Sequence, residues 1–132
     1  MKKNTKRSSK RTFFPKKIKY LGIHLIAEFW LTKTIEDKKI FEKILRDAVR
    51  AAKCTLLEIV IHKFSPHGIT GVILLAESHI AIHTWPENNY LAIDIFTCGD
   101  KAKPYVALEF LKKAFKPKRF EVKEIKRGEI KK

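Results

Sequence analysis

Between Ala76 and Glu87 an apolar run is interrupted by groups that carry chemistry, in Ala76-Glu77-Ser78-His79-Ile80-Ala81-Ile82-His83-Thr84-Trp85-Pro86-Glu87. A carboxylate, a hydroxyl and two imidazoles in a strand-like stretch must be paired or put to use, because burying a polar group without a partner costs roughly 2–7 kcal/mol. The hydroxyl follows a peptide carbonyl directly. If Ser78 Oγ attacks the carbonyl carbon of Glu77, the amide becomes an ester and the serine nitrogen is freed, an N-to-O acyl shift. An imidazole, with an ordinary pKa near ~6.5, can take up and return a proton at neutral pH. Parity limits which imidazole can help. In one unbroken strand Ser78 shares a face with Leu74, Ile80 and Ile82, while His83, five residues on, faces the other way. For His83 to act on Ser78 the chain must bend, so Glu77-Ser78 is expected at a turn or strained break between two strands. Distortion there would also make the peptide bond easier to attack.

The flanking sequence supplies the elements that position these residues. Residues 19–30 alternate and end in aromatics, which reads as a first strand. Thr34-Ile35-Glu36-Asp37 offers helix-start chemistry, and Ile40, Phe41, Ile44, Leu45, Ala48 and Val49 then repeat at the spacing of an amphipathic helix ending near Lys53. Residues 56–64 read as a strand, Ser65-Pro66-His67-Gly68 as a turn, and residues 69–76 as the next strand. Strands over 79–84 and 91–97 are separated by Pro86-Glu87-Asn88-Asn89. Gly99-Asp100 stops the sheet, Pro104 opens a helix running to Phe115, and residues 120–125 close as a strand. The expected fold is α+β, an antiparallel β-sheet with helices on one face.

A chain of 132 residues is one domain, small for an enzyme that must enclose a nucleoside-sized ligand, so a site shared between subunits is plausible. The 45% hydrophobic content excludes a disordered chain, and no apolar run approaches the ~20 residues that span a bilayer. No apolar segment follows the basic start, so neither a secretory signal nor a membrane anchor is indicated and the cytoplasm is expected. Cys54 and Cys98 could form one disulfide arithmetically, but two free thiols are expected in a reducing compartment. The net charge of +15 concentrates at the ends: residues 1–18 read as a basic, flexible extension, and residues 19–132 as the domain.

Glu77-Ser78-His79, His83-Thr84-Trp85-Pro86-Glu87 and Phe96-Thr97-Cys98-Gly99 together resemble the small prokaryotic S-adenosylmethionine decarboxylase proenzymes. The likeness covers about four-fifths of the chain and is most specific between His62 and Gly99. It implies self-cleavage between Glu77 and Ser78, giving a β chain of residues 1–77 and an α chain of residues 78–132. Elimination of Glu77's main-chain carboxylate from the ester would leave a dehydroalanine, which hydrolyses to ammonia and a pyruvoyl group at the new N-terminus. By the same resemblance Ser78 is the pyruvoyl precursor and Schiff-base former, His83 the processing base, and Cys98 the proton donor in decarboxylation. Thr70 stands where relatives commonly have a serine that assists processing. Phe64 matches the aromatic residue that stacks on adenine, and Glu87 the acid that holds the ribose hydroxyls. Such an enzyme converts S-adenosylmethionine to its decarboxylated form plus carbon dioxide for spermidine and other polyamines, with no metal. Its family relatives form homodimers of cleaved protomers, with composite sites between opposing sheets in an α/β/β/α sandwich.

Plainer roles compete. His83 could be a hydrogen-bonded core histidine, Cys98 a small packing residue and Phe64 ordinary core, whereas Cys54 reads as an inert buried thiol. His62, His67 and His79 match no familiar zinc spacing. A branch of the same family acts on arginine, but His62-Lys63-Phe64-Ser65-Pro66-His67-Gly68 resembles the adenosyl-substrate branch. A different class is a basic, non-catalytic nucleic-acid-binding domain, with salt-dependent affinity for phosphate polymers and no internal cleavage.

Overall fold

Alternation along the strands decides the architecture. The computed structural model describes residues 18–99 and 101–131, so the basic extension expected over 1–18 lies, apart from Ile18, outside the described residues. The elements run β1 (Ile18–Trp30), α1 (Lys38–Ala51), β2 (Leu56–Lys63), β3 (Ile69–Leu75), β4 (Ser78–Trp85), β5 (Tyr90–Cys98), α2 (Pro104–Phe115) and β6 (Arg119–Lys131), with a short 3₁₀ turn over Pro86–Asn88 between β4 and β5. The strands form one six-stranded sheet in the order β2-β3-β4-β5-β1-β6, each neighbour antiparallel to the next.

One face of that sheet is the core. Leu25, Ala27 and Phe29 of β1, Ile69, Ile73 and Leu75 of β3, Ile80 and Ile82 of β4, and Leu91, Ile93 and Ile95 of β5 are all buried, at every second position. Both helices cover this face, burying Phe41, Leu45, Ala48 and Val49 from α1 and Ala107, Leu108, Leu111 and Phe115 from α2. Each large apolar side chain taken fully out of water contributes about 1.5–3 kcal/mol. Gly71 lets α1 lie close, since a Cβ there would stand 2.7 Å from Leu45 Cδ1 and 2.9 Å from Phe41 Cε2. Asp37 starts α1 as its N-cap, its Oδ1 accepting from the backbone N–H groups of Lys39 (2.8 Å) and Ile40 (3.1 Å).

The opposite face carries Thr70, His79, His83, Asp94, Phe96, Glu28 and His24 together with exposed Val60, Val72 and Leu74. It pairs His24 Nε2 with Asp94 Oδ1 at 3.0 Å. The last strand departs from the sequence reading, which ends it at Ile125: β6 pairs with β1 along its whole length, from Trp30↔Arg119 to Ile18↔Lys131. At Gly128 (φ +75°), opposite Leu21, one pair drops out of the ladder without a change of register, and an added methyl would lie 2.8 Å from Leu21 Cβ. The surrounding Lys, Arg and Glu mask the strand because β6 is exposed on nearly all positions and has no alternating pattern to read.

Candidate active site

The β3–β4 hairpin turns in two residues, Ala76 and Glu77, with Leu75 paired to Ser78 across it. Ser78, the first residue of β4, has φ +146°, a backbone region that side chains other than glycine's enter at a cost of about 1–3 kcal/mol. The expected break is therefore at this peptide. The carbonyl oxygen of Glu77 accepts two hydrogen bonds from the end of β5, the Cys98 backbone N–H at 2.9 Å and the Cys98 thiol at 3.0 Å. On its other side the turn is tied to Thr55, just before β2. The Thr55 N–H reaches Glu77 Oε1 at 2.9 Å, the Thr55 hydroxyl reaches Oε2 at 3.1 Å, and the Thr55 carbonyl accepts the Ala76 N–H at 3.0 Å. The Thr55 N–H, foremost, holds the Glu77 carboxyl below its ordinary value. Ser78 Oγ is 3.4 Å from His79 Nδ1. Half-buried Cys54 is close by; burial, and then the Glu77 charge, push its thiol up, which keeps it in the unreactive form.

A second group gathers at the opposite end of the sheet. Phe64, His67, Thr70, His83, Trp85 and Glu87 line a pocket of about 390 Å³. Thr70 and His83, directly paired between β3 and β4, share a hydrogen bond of 3.1 Å between Oγ1 and Nδ1. Behind Trp85 lies Tyr90, ring centroids 5.6 Å apart, whose hydroxyl donates to Glu28. Burial and the Glu28 carboxylate push the Tyr90 phenol up to about 12. An aromatic edge, an imidazole with an oriented nitrogen and a carboxylate on the turn after β4 can hold a ligand with an aromatic ring, a positive charge and a diol.

Residues 23–128 match the S-adenosylmethionine decarboxylase family model. A protein of Methanococcus maripaludis strain C5 named S-adenosylmethionine decarboxylase proenzyme is 47% identical over 115 residues, 86% of this chain and 94% of that one. One of the same name from Thermomicrobium roseum is 41% identical over 114 residues, 86% and 98% of the two chains. The crystal structure of the adenosylmethionine decarboxylase from Aquifex aeolicus superposes with a TM-score of 0.78 at 38% identity, covering 83% of this chain and 92% of that one. The chain belongs to the S-adenosylmethionine decarboxylase family. Its antiparallel sheet with two helices on one face is the fold of that solved decarboxylase.

Against this family background, the seven site residues expected from the sequence fall into two sets. Glu77, Ser78 and Cys98 meet at the β3–β4 turn, whereas Phe64, Thr70, His83 and Glu87 meet at the pocket. β4 runs unbroken from Ser78 to Trp85, so the break lies before Ser78 and nothing bends His83 towards it. Five strand residues put the two about 16 Å apart. Within the chain the imidazole next to Ser78 is that of His79. Thr55 escapes a sequence reading, because it stands 22 residues before Glu77 and no local pattern joins them. Among the described residues there is no cluster of three or more His, Cys, Asp or Glu able to hold a metal, and no helix long and apolar enough to cross a membrane.

Proposed function

We propose that this chain is a self-processing proenzyme that cuts itself between Glu77 and Ser78, turns Ser78 into a pyruvoyl group, and decarboxylates S-adenosylmethionine for polyamine synthesis. The observation that carries this reading is the pair of hydrogen bonds from Cys98 to the Glu77 carbonyl, one from its N–H and one from its thiol. When Ser78 Oγ adds to that carbonyl carbon, the oxygen becomes an anion already facing two donors. Such donors are worth about 2.7–4 kcal/mol each in acyl transfer. The C–N bond then breaks as the serine nitrogen takes a proton, leaving an ester between Glu77 and Ser78 Oγ. Loss of the Ser78 α-proton breaks the Ser78 Cβ–Oγ bond and expels the main-chain carboxylate of Glu77, the new C-terminus of the β chain, giving dehydroalanine. Water replaces its nitrogen as ammonia and leaves the ketone. The strained φ of Ser78 favours departure from the amide, since the ester step relaxes the peptide unit.

The base for these steps comes, in this reading, from a second copy. His83 and Thr70 are too far from Ser78 in their own protomer, and both lie on the sheet face opposite the helices, beside exposed Val60, Val72 and Leu74. Two such faces packed together as an α/β/β/α dimer would bring the Thr70–His83 pair of one protomer over the Glu77–Ser78 turn of the other. Thr70 fixes the imidazole through Nδ1, leaving Nε2 to exchange the proton.

A pyruvoyl ketone supplies an electrophile for the substrate amine and takes up the electrons left by the departing carboxylate. The chain's own residues do the rest. Phe64 and Glu87, which share the His83 pocket, come with it from the second copy, Phe64 to stack on the purine and Glu87 to accept from the ribose diol, while the exposed Cys98 thiol beside Ser78 returns a proton to the substrate Cα. Intact mass before and after incubation, combined with carbon dioxide release from carboxyl-labelled S-adenosylmethionine and arginine, tests the reading. The expected outcome is two fragments divided at Glu77 and Ser78, the α chain blocked at its N-terminus, with release from S-adenosylmethionine only. Ser78→Ala should stay one inert piece. A wild-type chain that never divides, or that decarboxylates arginine instead, would overturn it.

A further inference from the structure

We infer that Thr55 is a positioning residue for self-cleavage, holding the Glu77 carboxylate so that the neighbouring carbonyl stays on its Cys98 donors. The inference rests on the self-processing reading above and adds to it a residue outside the site motifs. Three hydrogen bonds join Thr55 to the two turn residues: its N–H to Glu77 Oε1 at 2.9 Å, its hydroxyl to Oε2 at 3.1 Å, and its carbonyl from the Ala76 N–H at 3.0 Å. With the two bonds from Cys98 to the Glu77 carbonyl, the residue before the scissile bond is gripped from both sides.

The grip matters because of where the turn is soft. A two-residue hairpin turn can rock its peptide units, and the unit between Glu77 and Ser78 is the one to be cut. Rotating it would carry the carbonyl oxygen away from Cys98 and leave the developing anion without donors. Beyond the turn itself, where the carboxylate also meets its own backbone N–H, the bonds that tie Glu77 to the rest of the fold are those of its carbonyl to Cys98 and of its carboxylate to Thr55. Both carboxylate oxygens are engaged, which fixes the side-chain torsions and, through them, the direction of the main chain. The lowered proton affinity of Glu77 is the sign that these bonds favour the charged form. Reactions that depend on orientation lose rate steeply when the reacting group shifts by even an ångström. The same bonds lie at the surface, so their loss should affect the rate of cleavage far more than the stability of the fold.

The test follows self-cleavage of the full chain by intact mass in wild type, Thr55→Val, Thr55→Ser and Glu77→Asp. Thr55→Val keeps the shape and the backbone donor but lacks the hydroxyl, and should cut about ten-fold more slowly. Thr55→Ser restores the hydroxyl and should cut at close to the wild-type rate. Glu77→Asp, one methylene short of Thr55, should be slow like the valine variant. The uncut valine variant should also resist hydroxylamine, which splits esters, because its block lies before the acyl shift. A merely structural role would instead lower the unfolding midpoint in a Ser78→Ala background, and that midpoint is expected to be the same with and without the Thr55→Val change. Wild-type cleavage rates in both Thr55→Val and Glu77→Asp, or a serine variant as slow as the valine one, would overturn the inference while leaving self-processing intact. A wild-type chain that fails to cut would instead remove the reading on which the inference rests.

Discussion

Cys98 meets the Glu77 carbonyl through two atoms, and only one of them can be removed by mutation. Cys98→Ala keeps the N–H and loses the thiol donor, so self-cleavage should continue but slow by roughly 100–1,000-fold, and the cleaved product should lack the proposed proton donor for turnover. Cys98→Ser, with a hydroxyl in place of the thiol, should cut faster than the alanine variant; time courses of fragment appearance rank the three. Equal rates for alanine and wild type would mean that the thiol takes no part in the acyl shift. Thr70→Val should slow cleavage about ten-fold by freeing the imidazole of His83 to rotate, and Thr70→Ser should not. At this scale the sequence tells much about identity and little about distance. Ser78, His83 and Cys98 stand out because polar groups interrupt apolar strands, but strand register decides which of them touch. Ser78 lies opposite Thr97 and next to Cys98, while His83 lies opposite Thr70 and Ala92, and no spacing along the chain reveals that. Thr55 carries no signal at all until Glu77 folds back on it.

Elements are more legible where packing leaves a period in the sequence. The apolar rhythm from Ile40 to Val49 and the Asp37 cap mark α1, and Pro104 marks the first turn of α2. Asp37→Ala should cost about 1 kcal/mol, and Gly71→Ala roughly 1–3 kcal/mol because the new methyl must push Phe41 and Leu45 of α1 away from the sheet. Urea denaturation of the uncleaved Ser78→Ala chain measures both without interference from processing. β6 reads short because an exposed edge strand needs only a partner to pair with, and charged side chains are compatible with that. Two tyrosines tie elements together, Tyr90 of β5 to Glu28 of β1 and Tyr105 of α2 to Glu124 of β6. Burial first, then the facing glutamate, raises each phenol from 10.0 to about 12. A raised pKa means the folded form keeps its proton longer, so this stabilisation is complete below pH 10 and is lost as the pH rises towards about 12. Unfolding midpoints measured across that window should fall, and should fall less in a Tyr90→Phe, Tyr105→Phe double variant.

At the scale of the whole molecule the separation of Ser78 from His83 is the decisive feature, because it makes a prediction that a self-contained site does not. Under the proposed mechanism, a chain carrying Ser78→Ala lacks the nucleophile but still has His83, and one carrying His83→Ala has the serine but lacks the proposed base. Each alone should remain whole. On the proposed dimer, co-expression should give mixed dimers in which one of the two sites pairs an intact Glu77–Ser78 turn with an intact His83 from the other subunit. In those dimers the His83→Ala chain should divide while the Ser78→Ala chain stays uncut, up to the fraction of mixed dimers formed. Distinct tags on the two chains allow the fragments to be assigned by mass. The proposed dimer would associate through the face that exposes Val60, Val72 and Leu74, so a charge there, Val72→Asp, should produce monomers in sedimentation and lose cleavage with them. Such monomers would retain every hydrogen bond around Glu77, so their failure to cut could be assigned to the missing partner. If instead the His83→Ala chain cuts itself unaided, His79, the imidazole already beside Ser78, becomes the base and the site closes within one protomer.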